Sequence, residues 1–327
     1  MFLSFLDSSS LLFTCLIAAI VVIFTLTIFR FFSRRKVGEL DKKYVLITGC
    51  DSGFGQETAI TLDKMGIGVL ATCLTKEGEQ SLKAATSDRL KTFQLDVTNS
   101  EQIKTLYELV KEQLPSDQGL WGLVNNAGIT LIGPIEWIPL EKSKRIADVN
   151  LWGMIDVTKT FLPLVKKARG RVVNLSSMLG RVSLPNLSCY CVTKYGVQAF
   201  SDALRREMAP WRVQVSIIEP GLFKTTIANE DRNIQVVQEL WDGLSPELKE
   251  EYGERKLNRI KKGISKSSRT ASSDTSKVVD AVIDALISQR PQTRYPVGLD
   301  AEVSIFISFL PTFIADYLFR KSMNVKR

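Results

Sequence analysis

Short apolar runs alternate with amphipathic stretches through the middle of the chain. Continuous apolar runs predict buried strands, whereas segments such as residues 101–114 carry apolar residues at helical spacing. The predicted strands are YVLITG (44–49), VLATCL (69–74), TFQLDV (92–97), GLVNNA (122–127), RVVNLSS (171–177), QVSIIEP (214–220) and finally TRYPVG (293–298). This alternation predicts right-handed βαβ units, and therefore one α/β domain with a doubly wound (Rossmann) parallel sheet and helices on both faces.

The beginning of the chain departs from this alternation. Leu11–Phe29 is an uncharged run, and a helix of that length nearly spans a hydrocarbon core. A signal peptide has a basic start and a shorter apolar stretch, whereas the only charged side chain before this run is Asp7. We therefore predict a retained transmembrane helix with a basic flank over residues 1–36. The basic residues after the run place the rest of the chain in the cytosol.

Two further segments interrupt the pattern. The apolar segment Val303–Phe319 contains Pro311 and Asp316, which disfavours a clean membrane span. A partly buried helix pair, a membrane-surface segment and a C-terminal core element all remain open for it. The polar segment Glu230–Asp274 is predicted to form helices and loop over a pocket mouth, as a lid. The predicted domain therefore covers residues 37–300, followed by an apolar C-terminal segment over 301–327.

Composition excludes several classes of function. The net charge of +8 suits nucleic acid or an anionic membrane. However, no zinc-finger spacing or aromatic RNA-binding signature accompanies the basic residues, so we expect no nucleic-acid partner. Five cysteines without a CxxC pair predict free thiols rather than a disulfide framework or a zinc site. The absence of histidine excludes a Ser-His-Asp triad, a Cys-His dyad and a histidine-based metal site.

A glycine-rich turn follows the first predicted strand. TGCDSGFG places Gly49, Gly53 and Gly55 in a GxxxGxG spacing, with Ser52 and Phe54 between them, directly before a helical stretch. Glycines at such a turn let the backbone approach a pyrophosphate, and the following helix offers free N–H groups. Although three glycines can be mere turn residues, their position at the first βα turn of a doubly wound sheet favours dinucleotide binding.

Polar residues end the third and fourth predicted strands. Asp96 can accept a hydrogen bond from an adenine amino group, or it can cap the following helix. In NNAG, Asn126 and Ala127 precede Gly128; the side-chain amides can join strand ends, and the glycine leaves room for a ribose. A plain turn is the alternative. Both segments lie where an open parallel sheet binds its ligands.

The end of the second predicted strand bears on the choice between NAD and NADP. The residues there are Cys73, Leu74 and Thr75, followed by Lys76 and Glu77. An acidic residue at the strand end would indicate NAD, and an arginine would hold the 2′-phosphate of NADP. Lys76 can take that second role, so the local residues leave both cofactors open.

The stretch YCVTK carries the candidate chemistry. Tyr190 and Lys194 lie one helical turn apart, so their side chains can be neighbours. An adjacent ammonium favours the phenolate and lowers the pKa of a tyrosine, which would allow it to take a proton from an alcohol. Ser177 ends the fifth predicted strand and can hydrogen-bond the substrate oxygen, while Lys194 can also hold ribose hydroxyls. A pair of surface residues is the alternative, but the glycine-rich turn and the strand-end serine disfavour it.

Together, TGCDSGFG, NNAG, NLSS, YCVTK and EPG resemble the short-chain dehydrogenase/reductase family, over about residues 42–226. The residues around the glycine turn and YCVTK resemble the membrane-associated branch of retinol, 17β-hydroxysteroid and 3-hydroxybutyrate dehydrogenases. The resemblance implies that Ser177, Tyr190 and Lys194 are catalytic. It further implies that Asn150, in DVNLWG, completes a tetrad by holding a water in a proton relay to the lysine.

The resemblance also implies a cofactor site and partners. Pro220, Gly221 and Thr225 match the segment that contacts the nicotinamide amide. Retinol- and steroid-oxidising relatives favour NAD, with NADP possible. We therefore expect a homodimer on the endoplasmic reticulum membrane that interconverts a lipophilic alcohol and its carbonyl. The stretches after Ser100 and from Trp137 to Leu164 are candidates for the dimer contact, with core packing as the alternative.

Two alternative functions remain at this point. A small polar substrate such as 3-hydroxybutyrate fits the same branch, although the predicted membrane helix argues against it. A dinucleotide-binding scaffold without turnover also fits the fold, although intact Ser177, Tyr190 and Lys194 argue against that. The stretch PNLSC (185–189) departs from the glycine-rich approach to the tyrosine in many relatives. It can line the substrate pocket, so it bears on the substrate rather than on the chemistry.

Overall fold

A parallel sheet forms the centre of the computed structural model, which describes Ile17 and residues 35–322. Within these residues, seven strands pair in the order β3-β2-β1-β4-β5-β6-β7, all parallel, as the sequence predicts. The strands are β1 Tyr44–Ile47, β2 Gly68–Cys73, β3 Lys91–Gln94, β4 Gly122–Asn125, β5 Arg171–Leu175, β6 Gln214–Pro220 and β7 Arg294–Val297.

The strand order reverses between β1 and β4, and this reversal positions the site. The chain runs outward from β1 through β2 to β3, then returns to place β4 on the other side of β1. Ile47 at the end of β1 pairs with Ala71 of β2 and with Val124 of β4. Ligands of open parallel sheets bind outside the carboxyl ends of the strands at such a reversal.

Helices cover both faces of this sheet. The helices are α1 Gly53–Lys64, α2 Lys76–Ala84, α3 Ser100–Gln113, α4 Leu140–Ala147, α5 Met154–Ala168, α6 Ser188–Glu207, α7 Glu230–Asp242, α8 Pro246–Thr270, α9 Ser276–Ile287, α10 Leu299–Ser308 and α11 Thr312–Ser322. Within β1, Val45 and Ile47 join one buried cluster and Leu46 joins the other. Because both faces of the central strands β1, β2 and β4 are buried, these strands are mostly apolar runs rather than alternating ones.

The segment predicted as a lid is helical and packs on the loop after β4. Trp137 in this loop contacts Trp241 of α7, at 5.2 Å between ring centroids, and Tyr252 of α8, at 5.4 Å. Helix α8 is kinked at Gly253, whose φ is 65°. These helices therefore sit on the loop that extends from the carboxyl end of β4.

The C-terminal apolar segment forms two helices, α10 and α11, on either side of Pro311. Every residue from Val303 to Phe319 is exposed or only partly buried. The segment is thus a helix pair and not a core element. The predicted membrane helix over residues 11–29 lies outside the described residues, apart from Ile17. Among the residues that the structure describes, no helix is long and apolar enough to cross a bilayer.

Candidate active site

The glycine-rich turn packs so tightly on the end of β4 that no side chain fits at position 49 or position 55. Gly49 has a φ of +70°, and a Cβ there would lie 2.7 Å from the Cα of Ala127. A Cβ on Gly55 would lie 2.3 Å from Asn126 Nδ2 and 2.4 Å from the Gly49 carbonyl oxygen. The glycines therefore allow two strand ends to meet in a backbone-lined cradle.

Hydrogen bonds fix this cradle. Asn126 Nδ2 donates to the carbonyl oxygens of Thr48 and Gly49, at 2.9 and 2.8 Å. In return, Thr48 Oγ1 accepts from the backbone N–H groups of Asn126 and Ala127, both at 3.1 Å. The predicted role of NNAG in joining strand ends is therefore confirmed for Asn126. No pattern in the sequence identifies Thr48, since a threonine after a strand is common.

The cradle fits the diphosphate of a dinucleotide. Helix α1 starts at Gly53, and no side chain of the described residues caps it at Ser52. Its first N–H groups thus remain available to an anion, at the positive end of the helix dipole. Thr226 Oγ1 donates to Ser52 Oγ at 2.8 Å. The rings of Phe54 and Phe223 meet edge to face at 5.9 Å, so the segment after β6 lies against the glycine turn.

Asp96 lies at the same edge of the sheet but does not cap helix α3. Its Oδ1 accepts from the backbone N–H and hydroxyl of Thr98, at 2.9 and 2.7 Å, and its Oδ2 accepts from Arg145 at 3.4 Å. The cap is Asn99, which accepts from the N–H groups at the start of α3. Burial raises the pKa of Asp96, but the bonds from Thr98 and Arg145 outweigh it and hold the pKa below its ordinary value. The adenine contact stays a prediction.

Helix α6 brings the catalytic candidates together. Lys194 Nζ lies 5.6 Å from the centre of the Tyr190 ring and donates to the Leu175 carbonyl oxygen at 2.8 Å. Ser177 lies two residues beyond the end of β5, where its Oγ accepts from the Leu179 N–H at 3.1 Å and its hydroxyl also hydrogen-bonds the phenol of Tyr190. Ser177 and Lys194 are buried, and Tyr190 is partly buried. The three residues thus converge at the carboxyl end of β5.

The pKa values of this group differ from the sequence expectation. Burial raises the pKa of Tyr190 to about 12, although the hydrogen bond with Ser177 acts in the opposite direction. Burial also lowers the pKa of Lys194 to about 8. The prediction that Lys194 lowers the pKa of Tyr190 is therefore wrong for the protein alone. Desolvation of both groups exceeds their mutual interaction, and the lysine ammonium points to a backbone carbonyl.

Asn150 lies in a π-helical turn, Asp148–Gly153, between α4 and α5. Its Oδ1 accepts from the Ile129 N–H at 2.8 Å, and its Nδ2 donates to the Ile129 carbonyl oxygen at 2.9 Å and to Thr193 Oγ1 at 3.1 Å. A Cβ built on Gly128 would lie 3.3 Å from Asn150 Oδ1 and 3.8 Å from Lys194 Nζ. Asn150 therefore joins the loop after β4 to helix α6, which carries Tyr190 and Lys194. The sequence could not identify Thr193 as its partner.

The segment after β6 is held by an unexpected carboxylate. Asp300, in the first turn of α10, accepts from the Leu222 N–H at 2.6 Å. The backbone N–H of Gly221 donates to the Val297 carbonyl oxygen at 2.9 Å, so Pro220 and Gly221 run beside the end of β7. Thr225 lies near the glycine turn, since a Cβ on Gly53 would be 3.7 Å from its Cβ. The three residues expected at the nicotinamide thus share the edge with the glycine turn.

The PNLSC stretch is divided between two environments. Pro185 and Ser188 line a cavity of about 640 Å³ that is also bordered by Phe319 of α11. The lining of this cavity does not include Ser177, Tyr190 or Lys194, so we do not assign it as the reaction pocket. Cys189 faces the other way, with its Sγ 3.0 Å from Ser143 Oγ. The prediction that this stretch lines the substrate pocket stays a prediction.

Known proteins resemble this chain over nearly its full length. The model of the short chain dehydrogenase family matches residues 43–235. Retinol dehydrogenase 7 of Mus musculus is 50% identical over 89% of this chain and 92% of its own length. 17-beta-hydroxysteroid dehydrogenase type 6 of Homo sapiens is 46% identical over 88% and 91%.

Solved structures share the fold. A short-chain dehydrogenase from Streptomyces avermitilis has a TM-score of 0.67 and 26% identity, over 86% of this chain and 97% of its own. A 3-ketoacyl-(acyl-carrier-protein) reductase from Brucella melitensis, complexed with NADH, has a TM-score of 0.55 and 27% identity, over 58% and 79%.

Proposed function

Since the chain belongs to the short-chain dehydrogenase family of oxidoreductases, we propose that it interconverts a lipophilic alcohol and its carbonyl with a nicotinamide dinucleotide. The convergence of Tyr190, Ser177 and Lys194 beside the glycine cradle carries this proposal. The relatives named as retinol and 17-beta-hydroxysteroid dehydrogenases support the substrate class. We further propose NAD rather than NADP as the cofactor.

The surroundings of Tyr190 suit an apolar substrate. Tyr190 packs against the buried apolar cluster of Leu179, Val182 and Cys191, and the same cluster is bordered by Met178, Leu184, Leu187 and Phe319. In the first turn of α6, Cys189 packs against a second apolar cluster, which includes Trp137 and Trp241. An apolar ring system gains free energy by leaving water for such surroundings.

The proposed mechanism uses the phenol of Tyr190 as acid and base. With a pKa of about 12, the phenol keeps its proton at neutral pH and can donate it to a carbonyl oxygen during reduction. When bound, the nicotinamide ring would accept or donate a hydride, and its oxidised form would add a positive charge to the site. Ser177 orients the substrate oxygen through its hydroxyl, and Lys194 holds the ribose and moves the proton onward. The proton relay through Asn150 belongs to the same proposal.

Turnover of a panel of alcohols tests the substrate class. We expect the full chain in membranes to oxidise all-trans-retinol or a hydroxysteroid with NAD, because the walls around Tyr190 are apolar. 3-Hydroxybutyrate, which is small and charged, should give little or no turnover. The opposite preference would favour the polar-substrate alternative, and dinucleotide binding without any turnover would favour a scaffold.

We also propose that the protein lies on the endoplasmic reticulum membrane, with its catalytic domain in the cytosol. The uncharged run Leu11–Phe29 supports this, as do the C-terminal helices. Leu299, Val303 and Phe306 share one face of α10, and Phe313 and Tyr317 share one face of α11, all at least half exposed. An exposed apolar patch on consecutive helices is typical of a surface that enters the interfacial layer of a bilayer.

Hydrogen exchange tests this membrane surface. In the full chain held in nanodiscs, peptides from α10 and α11 should exchange more slowly than peptides from α2, a mostly exposed helix outside the proposed dimer face. The double variant Phe306→Asp, Phe313→Asp should lose that protection, because charged side chains are costly at the interface. Its fold should survive, since both rings are mostly exposed. Equal exchange in wild type and variant would contradict the proposal.

We propose a homodimer through the face formed by α3 and α5. These helices contact one another, and Ser100 donates a hydrogen bond to Asp156 between them. Leu109 of α3 and Trp152, just before α5, are exposed on the described chain. Contact with a partner subunit would remove both apolar side chains from water. A monomeric mass for the full chain in detergent would contradict this.

A further inference from the structure

A carboxylate occupies the carboxyl end of β2, although the residues that follow this strand supply none directly. It belongs to Asp51, which lies in the glycine-rich turn more than twenty positions earlier. Its Oδ2 accepts from the Leu74 N–H at 2.9 Å. Its Oδ1 accepts from the N–H and the hydroxyl of Thr75, both at 2.8 Å. The carboxylate is therefore fixed in place by three hydrogen bonds.

This position is where a doubly wound sheet holds the ribose of the adenosine half of a dinucleotide. Asp51 lies between Gly49 and Gly53, which border the diphosphate cradle. Its carboxylate also rests on the first turn of α2, since a Cβ on Gly78 would lie 2.6 Å from Oδ1. The glycine at position 78 thus makes room for the acidic group beside the predicted ribose.

We propose that Asp51 selects NAD against NADP. This inference rests on the proposed function, because it requires a nicotinamide dinucleotide in the cradle. Oδ2 accepts one hydrogen bond from the described residues and has a further lone pair for a ribose hydroxyl. A 2′-phosphate at the same place would bring two negative groups together where both are partly desolvated. Asp51 therefore replaces the acidic residue that the end of β2 lacks.

Lys76 is the residue that acts against this selection. It is the first residue of α2, its side chain is exposed, and its ammonium is the group that the sequence offers to a 2′-phosphate. A free lysine side chain loses rotamer freedom when it binds, whereas the Asp51 carboxylate is already held by Leu74 and Thr75. The fixed negative charge should therefore dominate over the mobile positive one.

The test compares the dissociation constants of NADH and NADPH, measured on the full chain in detergent by the fluorescence of the reduced nicotinamide. We expect wild type to bind NADH at least about tenfold more tightly than NADPH. Asp51→Asn should reduce that ratio by about tenfold or more, chiefly by tighter NADPH binding. The asparagine keeps an oxygen for the backbone N–H groups. Asp51→Ser, which leaves more space, should shift the ratio in the same direction and serves if the first variant is unstable.

Asp63→Asn is the matched control. Asp63 Oδ2 accepts from the Ser87 N–H at 2.8 Å and Oδ1 accepts from the Ser87 hydroxyl at 2.6 Å, which repeats the pattern of Asp51 and Thr75. Asp63 lies at the opposite end of α1, away from the cradle. Its variant should therefore leave the ratio of the two dissociation constants unchanged.

Two results would overturn the assignment while the proposed interconversion of an alcohol and its carbonyl stands. They are tighter binding of NADPH than NADH by wild type, and an unchanged ratio in both Asp51 variants. If wild type binds neither nucleotide, the proposed function itself fails, and the selection by Asp51 fails with it. A ratio that shifts equally in Asp63→Asn would also count against Asp51, because the effect would then be a general loss of stability.

Discussion

Tyr190→Phe should lower kcat for alcohol oxidation by about 10²- to 10⁴-fold, the range for loss of a general acid or base. Phenylalanine keeps the ring that packs against the cluster of Leu179, Val182 and Cys191 but removes the hydroxyl that Ser177 hydrogen-bonds. Binding of NADH should change little, since the cradle around Gly49 and Asn126 is untouched. Parallel measurements of kcat and of the NADH dissociation constant on the full chain separate these effects.

Tyr195→Phe is the matched control for this prediction. Tyr195 lies on the same helix, directly after Lys194 in the chain, and is 42% exposed. Loss of its hydroxyl should leave kcat within about twofold, because surface changes of this kind seldom matter. If Tyr190→Phe kept activity close to wild type, the phenol would not be the proton-transfer group. A different proton-transfer group would then have to be considered.

Lys194→Met should have two effects of opposite sign. Activity should fall by roughly 10²-fold or more, because the ammonium that completes the proton path is lost. Without cofactor, the variant should unfold less readily at pH 7, by about 1–2 kcal/mol. Burial lowers the pKa of Lys194 from 10.5 to about 8, so the protonated side chain destabilises the folded chain relative to the unfolded chain at pH 7. The lost hydrogen bond to the Leu175 carbonyl oxygen offsets part of the gain.

The pH dependence follows from the direction of this shift. Between about pH 8 and 10.5 the unfolded chain binds a proton that the folded chain does not, so wild-type stability gains with rising pH in this window. Below about pH 8 both states hold the proton, and the fold carries the full cost of a buried ammonium. Lys194→Met should lack this gain between pH 8 and 10.5 in denaturant titrations. A variant that is less stable than wild type at pH 7 would contradict the assignment.

The sheet and its order of elements could be predicted because the central strands, such as β2, β4 and β5, are buried on both faces. Such strands are continuous apolar runs, and all seven strands of the sheet appear with ends at most three residues from the predicted ones. The glycine-rich turn could also be predicted from the sequence, because the close approach of the backbone at Gly49 and Gly55 permits no side chain. Local chemistry therefore determines these features.

The parts that could not be predicted depend on contacts distant in sequence. Asp51 reaches the end of β2, and Asp300 reaches the Leu222 N–H from α10; no local pattern indicates either contact. The sequence predicts the wrong direction for the pKa shift of Tyr190, because spacing along a helix shows proximity to Lys194 but not the burial of both groups. Desolvation is a property of the packed molecule.

The transfer of deuterium from the carbinol carbon of a lipophilic alcohol to NAD tests the central proposal most directly. The full chain in membranes would be given labelled all-trans-retinol or a labelled hydroxysteroid, and the reduced nicotinamide analysed by mass spectrometry. We expect the label in the reduced nicotinamide, and its loss in Tyr190→Phe. Turnover of 3-hydroxybutyrate alone, or no label transfer from any alcohol by a chain that binds NADH, would contradict the proposal.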